Sequence, residues 1–231
     1  MAAANLLDES IRRALPSHVE ALRDVGTLFY HWGWSFGTSS NYSVVLSREP
    51  LLLLLTASGK DKRRLGPGDF VVVDGDGKAV EPATQKPSAE TMLHVAIARQ
   101  TDARSVLHTH SVWGTVLSDL HAPAGGFAVE GYEMLKGLSG VTTHEHRQWV
   151  EVFDNTQDIP ELAQRVRQRL GDAADPLRHG FLIRGHGLYT WGRDLDEARR
   201  HVEIFEFLFE VVGRRTALER LSGVPQAGAA S

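Results

Sequence analysis

The sequence predicts one layered α/β (α+β) domain in which helices flank a central, mostly antiparallel sheet. Both ends of the chain show the periodicity of helices. Strand-like runs joined by turn residues follow the first helical segment, and helical and strand-like segments then alternate. Such elements bury their apolar faces by stacking in layers. A chain of 231 residues is long enough for one substantial core. We therefore predict a single domain over residues 1–221 and a mobile tail over residues 222–231.

The N-terminal segment predicts two short helices. From Asp8 to Tyr30 the apolar residues recur three or four positions apart, which is the period of an amphipathic helix. Pro16 and Ser17 interrupt this segment, and a proline lacks the amide hydrogen that a continuing helix needs. The pattern therefore predicts that one helix ends and another begins at this point.

Three consecutive strands are predicted next. The stretches "YSVVLS", "PLLLLLTAS" and "DFVVVDGDGKAV" are β-branched or leucine-rich runs that glycine, proline and polar residues separate, a pattern typical of strands joined by turns. "DGDGK" lies between two strand-like runs and lacks the later ligands of a calcium loop. We interpret it as a hairpin turn within a meander.

The rest of the chain alternates helices and strands. "SVLHTH" returns to a strand, and "GFLIRGHGLYTWG" predicts a buried strand that glycines interrupt from Gly185 to Gly187. Asp194, with Glu197 three residues later, resembles a capping box at the start of the last helix, which runs to about Leu221. The other predicted helices are "AETMLHVAIARQ" after Pro87, Val112–Leu117, Glu130–Leu138 and Ile159–Leu170.

Composition excludes several classes of function. The net charge of -4 argues against a nucleic-acid partner, because polyanion binding needs a concentrated basic surface. There is no cysteine, so a disulfide, a thiolate metal site or a cysteine nucleophile is excluded. The N-terminus lacks the features of a signal peptide, and the run "PLLLLLTA" is too short to span a bilayer. These features predict a cytoplasmic protein with no membrane partner.

Histidines provide the candidate metal ligands. His108 and His110 are two residues apart in a predicted strand, so that both imidazoles can point to the same side. The stretch "THEHRQW" places His144 and His146 at the same spacing, but its charged surroundings suit an exposed loop, and we favour the first pair. A catalytic zinc takes three protein ligands, and His186, between two glycines, is the candidate for the third.

Three polar stretches could bind a phosphate through amides and hydroxyls. They are "GTSSN" at Gly37–Asn41, "TASGK" at Thr56–Lys60 and "KPSAE" at Lys86–Glu90. Each stretch alone is equally typical of a turn or a helix cap. For proton transfer the candidate carboxylates are Glu90 and Glu133, although either could be an ordinary residue at a helix start or on a solvated helix.

In chain order, "GTSSNYS", "LTASGKDK", "KPSAETMLH", "SVLHTHS" and "LIRGHGLYTWG" resemble the zinc-dependent class II aldolase family. The resemblance extends from about Asp24 to Phe209. It implies the class II aldolase three-layer fold, a sugar-phosphate substrate and a homotetramer with the active site near a subunit boundary. It also implies one Zn2+ per subunit on His108, His110 and His186, and phosphate binding by Thr38, Asn41, Ser58, Gly59 and Ser88.

Within this family, "HTHS", "EGYEMLKGL", "VFDNTQDI" and "GHGLYTWG" resemble most the branch that removes water from a methylthio-substituted pentulose phosphate in methionine salvage. This resemblance implies that Glu133 is the catalytic acid/base. Glu90 matches the metal-site glutamate of the aldolases and competes for that role. The alternative functions are sugar-phosphate aldolase or epimerase activity on the same scaffold and, in a different class, a non-catalytic interaction domain.

Overall fold

The computed structural model describes residues 7–80 and 85–222, so the predicted tail after residue 222 lies outside the described part. Five α-helices and eight strands are found in these ranges. The helices are α1 (Glu9–His31), α2 (Thr91–Gln100), α3 (Val112–His121), α4 (Ile159–Leu170) and α5 (Leu195–Ser222). The strands are β1 (Asn41–Arg48), β2 (Leu51–Thr56), β3 (Phe70–Asp74), β4 (Ser105–Thr109), β5 (Gly126–Val129), β6 (Gln148–Phe153), β7 (Gly180–Ile183) and β8 (Gly187–Gly192).

The strands form one sheet with the order β3-β2-β1-β4-β8-β7-β6-β5. Every neighbouring pair is antiparallel except β6 and β7, which are parallel. The first three strands form the predicted meander, and β7 and β8 form a hairpin in which Ile183 pairs with Gly187. The mostly antiparallel sheet between helices is therefore confirmed.

Helices cover both faces of the sheet, which gives three layers. On one face α2 and α4 pack together against apolar side chains of the central strands, among them Val106, Phe181 and Trp191. On the other face α1 and α5 pack against Tyr42, Val44 and Leu107, and α3 joins α5 over the strands at the β5 edge. The core is thus split by the sheet into two apolar layers.

The predicted break in the first helix is wrong, because α1 is continuous and contains Pro16. A proline inside a helix removes one backbone hydrogen bond. Over 23 residues the remaining bonds, together with burial of Leu22, Val25 and Phe29 against the sheet, keep the helix continuous. The predicted helix at Glu130–Leu138 is also shorter than expected, since only a 3-10 turn at Glu133–Gly137 forms.

Strand alternation in β4 positions the site. Val106 packs into the layer of α2 and α4, whereas Leu107 packs into the layer of α1 and α5. Successive side chains of a strand point to opposite faces, so His108 lies on the α2 side, and Thr109 reaches Glu206 of α5. In the described ranges, no helix has the length and apolar character that a membrane crossing requires.

Candidate metal centre and active-site cleft

Three histidines converge where β4 ends and β7 turns into β8. His108 is in β4, His110 is the first residue after the end of β4, and His186 is in the β7–β8 hairpin. One possible ligand atom from each lies within 4.8 Å of the other two, and the ring centroids of His108 and His110 are 4.5 Å apart. In the part of the chain that the structure describes, these residues form the one such group of three histidine or acidic side chains.

The orientation of His108 is fixed on two sides. Its Nδ1 is 2.9 Å from the carbonyl oxygen of Leu188, and its ring stacks on Tyr189 with 4.1 Å between centroids. Tyr189 lies directly opposite His108 in the ladder of β4 and β8. The buried Nε2 has no hydrogen-bond partner among the described residues. A histidine held through one nitrogen with the other nitrogen free suits a metal ligand.

The surroundings keep the imidazoles of His108 and His110 neutral. Burial, together with the neighbouring His108 and His186, lowers the pKa of His110 to about 2. Burial likewise holds the pKa of His108 well below its usual range. A metal binds the unprotonated imidazole, so at neutral pH the nitrogens are available without loss of a proton. Free buried nitrogens and neutral rings therefore fit a metal ion.

Glu90 lies beside the three histidines. Its Oε2 is 3.5 Å from Nε2 of His108 and its Oε1 is 3.4 Å from Nε2 of His186. Although Glu90 precedes the first residue of α2, its side chain does not cap the helix. Oε2 instead accepts a hydrogen bond of 2.6 Å from Nδ2 of Asn41. The carboxylate is thus directed into the site.

A cleft of about 300 Å³ opens beside the histidines and carries polar groups from the three predicted phosphate-binding stretches. Thr38 and Asn41, Ser58 and Gly59, and Ser88 all line it, together with Glu90, His110 and His186. Three loops distant in sequence therefore meet at one cleft. Their role in binding a phosphate remains a prediction.

Glu133 lies outside this cleft. None of the residues that line the cleft comes from the 3-10 turn at Glu133–Gly137. Its side chain is 69% exposed and pairs with Lys136 and His144. A hydrogen bond from Lys136 lowers the pKa of Glu133. In the second histidine pair, His144 is exposed beside Glu133 and His146 is half-buried, and both lie apart from the three-histidine group.

The sequence analysis assigned no role to several residues that lie in or behind the site. Asn155, Thr156 and Gln157 line the cleft from the segment before α4. His94 in α2 contacts Asn41 behind the cleft. The helical spacing of four residues between Glu90 and His94 places them on one side of α2 and is the signal that indicates His94. The contact of Glu206 with β4 follows from tertiary packing alone.

Fold and site together define a class II aldolase domain. The chain belongs to the family described as Class II Aldolase and Adducin N-terminal domain, whose model matches residues 20–212. This confirms the family predicted from the motifs.

Among its relatives, the methylthioribulose-1-phosphate dehydratase of Marinobacter nauticus is 47% identical over 192 residues, which cover 83% of this chain and 90% of that protein. The methylthioribulose-1-phosphate dehydratase of Pseudomonas fluorescens is 50% identical over 188 residues, covering 81% and 88%. A solved structure of L-fuculose-1-phosphate aldolase from Thermus thermophilus superposes with a TM-score of 0.70 at 24% identity, covering 89% of this chain and 98% of the aldolase. The similarity to the aldolase structure shows the fold alone.

Proposed function

We propose that this chain is a zinc-dependent dehydratase of 5-methylthioribulose 1-phosphate. The observation that carries the proposal is the convergence of His108, His110 and His186 with Glu90 at a cleft lined by hydroxyls, amides and a glycine loop. The similarity to relatives named as methylthioribulose-1-phosphate dehydratases supports this substrate. The product is the 2,3-diketone phosphate, formed by loss of one water.

The substrate has a phosphate on C1, a ketone at C2, hydroxyls at C3 and C4 and a methylthio group on C5. Thr38, Ser58 and Ser88 present hydroxyls to the cleft. Gly59 has a φ of +71°, a conformation that favours glycine and that exposes loop amides to a ligand. These groups bind the phosphate and so hold C3 and C4 beside the carboxylate.

His108, His110 and His186 would hold the zinc ion, which would supply Lewis acidity to the substrate carbonyl group. Glu90 is the carboxylate of this chain that faces the same position. A carboxylate there can accept the C3 proton, whose bonding electrons then form the C2–C3 double bond. The C2 carbonyl then re-forms, the C2–C3 electron pair moves to form a C3–C4 double bond, and the C4 hydroxyl leaves with a proton as water. The resulting C3 enol tautomerises to the 2,3-diketone.

Glu133 is the second acid/base group in this proposal. Because it is exposed on its own chain, we assign it to the cleft of a neighbouring subunit in a homotetramer. The exposed apolar side chains around the 3-10 turn and α3, among them Val112, Val116 and Met134, support an interface on this side. One carboxylate would then take the C3 proton, and the other would protonate the leaving hydroxyl. The reaction belongs to methionine salvage in the cytoplasm.

The deciding experiment is mass spectrometry of the products after incubation of zinc-loaded protein with 5-methylthioribulose 1-phosphate. We expect a phosphate lighter than the substrate by one water. A three-carbon phosphate fragment would show aldol cleavage instead, and an isomer of unchanged mass would show epimerisation. Unchanged substrate combined with failure to bind zinc would indicate a non-catalytic domain.

A further inference from the structure

We infer that His94 is a positioning residue that, through Asn41, sets the direction of the hydrogen bond to the Glu90 carboxylate. A line of buried polar contacts runs from β1 through α2 and back to the cleft. Nδ1 of His94 is 2.7 Å from Oγ of Ser43, Nε2 of His94 contacts Oδ1 of Asn41, and Nδ2 of Asn41 donates to Glu90. Each hydrogen bond therefore limits the orientation of the next side chain in the line.

The direction of each hydrogen bond follows from the chemistry of the groups. An ionised carboxylate can only accept, so Asn41 must present its amide nitrogen to Glu90. Its Oδ1 then faces His94 and needs a donor, so Nε2 of His94 carries a proton. Ser43 and His94 are both 0% exposed, which excludes water as a substitute for either partner.

The protonation state of His94 completes this line. Burial lowers the pKa of His94 to about 4, although the nearby Glu90 charge opposes the shift. The neutral ring carries a single proton, which is on Nε2, and Nδ1 therefore accepts from the Ser43 hydroxyl. The network selects one tautomer of His94 and one orientation of the Asn41 amide.

This orientation has a consequence for proton transfer by Glu90. If the Asn41 amide rotated, its oxygen would face the carboxylate, where it would repel the charged form and accept a hydrogen bond from the protonated form. His94 opposes that rotation because Nε2–H would then face an amide nitrogen with no acceptor. Glu90 Oε2 thus stays engaged with Asn41, and Oε1, on the side of His186, carries the transferred proton.

The assignment of a proton to Oε1 rests on the proposed function, whereas the tautomer of His94 does not. The first test is therefore the nitrogen-15 spectrum of histidine-labelled protein without metal or substrate. The His94 signals are identified by their loss in His94→Gln. We expect a protonated Nε2 and an unprotonated Nδ1 at neutral pH. A protonated Nδ1, or a charged ring, would overturn the inference whatever reaction the protein catalyses.

The second test compares variants in the dehydration assay. His94→Gln retains an N–H donor in the place of Nε2, and His94→Leu removes it. We expect His94→Leu to lower kcat by about tenfold or more, with little change in KM and with normal zinc content, and His94→Gln to recover most of that loss.

Ser43→Ala tests the far end of the line. It removes the donor to Nδ1 but leaves Oδ1 of Asn41 as the acceptor for Nε2–H, so the nitrogen-15 spectrum should still show the proton on Nε2. A proton on Nδ1 in this variant would contradict the inference. Ser105→Ala is the matched control, since Ser105 is a buried serine on the neighbouring strand that donates to the backbone oxygen of Ser43 and does not contact His94. Equal loss of kcat in His94→Gln and His94→Leu would show that His94 acts only through packing. If His94→Leu does not fold, the spectrum and Ser43→Ala still decide.

Discussion

The hydroxyl of Thr109 donates a hydrogen bond of 3.3 Å to Oε1 of Glu206 and so joins the end of β4 to α5. Thr109 lies between His108 and His110 but points to the opposite face of the sheet. Glu206 is 4% exposed, and its burial raises its pKa to about 7, although hydrogen bonds from Ser111 and Thr109 oppose the shift. A buried carboxyl group thus supports the strand end that carries two of the candidate ligands.

This arrangement predicts a pH dependence of stability that Glu206→Gln removes. Glu206 keeps its proton to a higher pH in the folded protein than in the unfolded chain. Its contribution to the free energy of unfolding is therefore complete below about pH 4.5 and is lost as the pH rises toward about 7. The shift from 4.5 to about 7 corresponds to about 3 kcal/mol. Urea unfolding of both proteins between pH 4 and pH 8 measures the difference.

The control for this experiment is Glu210→Gln, one helical turn away. Glu210 is 45% exposed and pairs with Arg214, so its substitution should leave the pH dependence nearly unchanged. An equal pH dependence in wild type and Glu206→Gln would contradict the raised pKa of Glu206.

Close backbone packing at Gly187 predicts that Gly187→Ala damages the metal centre. A Cβ at this position would lie 2.1 Å from the carbonyl oxygen of Thr109 and 3.0 Å from Cε1 of His108. The strands must separate to admit it, and we expect a loss of about 1–3 kcal/mol in stability and weaker zinc binding. Gly68→Ala is the control, because a Cβ there meets nothing within 4 Å. Thermal unfolding and zinc titration with a competing chelator measure both effects.

The three-histidine group predicts selective loss of metal. His110→Ala removes one nitrogen from the group, and we expect the purified protein to contain less than about a tenth of the wild-type zinc, since neither water nor the remaining two imidazoles replaces a third protein ligand. His146→Ala, outside this group, should retain the metal. Elemental analysis after dialysis measures the zinc content. Full zinc content in His110→Ala would remove this residue from the ligand set.

Substitution of either candidate carboxylate, Glu90 or Glu133, is expected to lower turnover. Glu90→Gln and Glu133→Gln each keep the shape of the side chain but remove the ability to transfer a proton. We expect kcat to fall by about 100-fold or more in each, with zinc content preserved. Steady-state kinetics on the dehydration reaction measure this. Normal kcat in one of the two variants would assign acid/base catalysis to the other.

A role for Glu133 in a neighbouring subunit predicts complementation between inactive variants. When Glu133→Gln and His108→Ala are unfolded together and refolded, some clefts of a mixed tetramer combine an intact zinc site with an intact Glu133 from the neighbour. We expect activity to return in the mixture and not in either variant refolded alone. No recovery in a mixture shown to contain both chains would place Glu133 in the cleft of its own chain, or outside catalysis.

The sequence predicted the layered fold because each element carries a local signal. The meander shows β-branched and leucine-rich runs between turn residues. Helix α5 begins beside Asp194, whose side chain accepts a hydrogen bond of 2.7 Å from the amide of Glu197. The break predicted at Pro16 failed because the local signal did not include the packing of α1 against the sheet. Local rules also overstated the helix at Glu130–Leu138, because Gly131 with a φ of +80° and Leu138 in an extended conformation leave room only for a 3-10 turn between them.

The sequence by itself determined the family, the helical regions, the strands β1–β4 and the β7–β8 hairpin, and the candidate ligands His108, His110 and His186, since motif order and periodicity are properties of the chain. It did not predict β5 or β6. The tertiary structure decided which groups meet. It placed Glu90 beside the histidines, Glu133 on the surface, and His94 and Glu206 behind the site from two different helices. Contacts between residues far apart in sequence depend on how the sheet orders its strands and on which face each helix covers, and no local pattern records that.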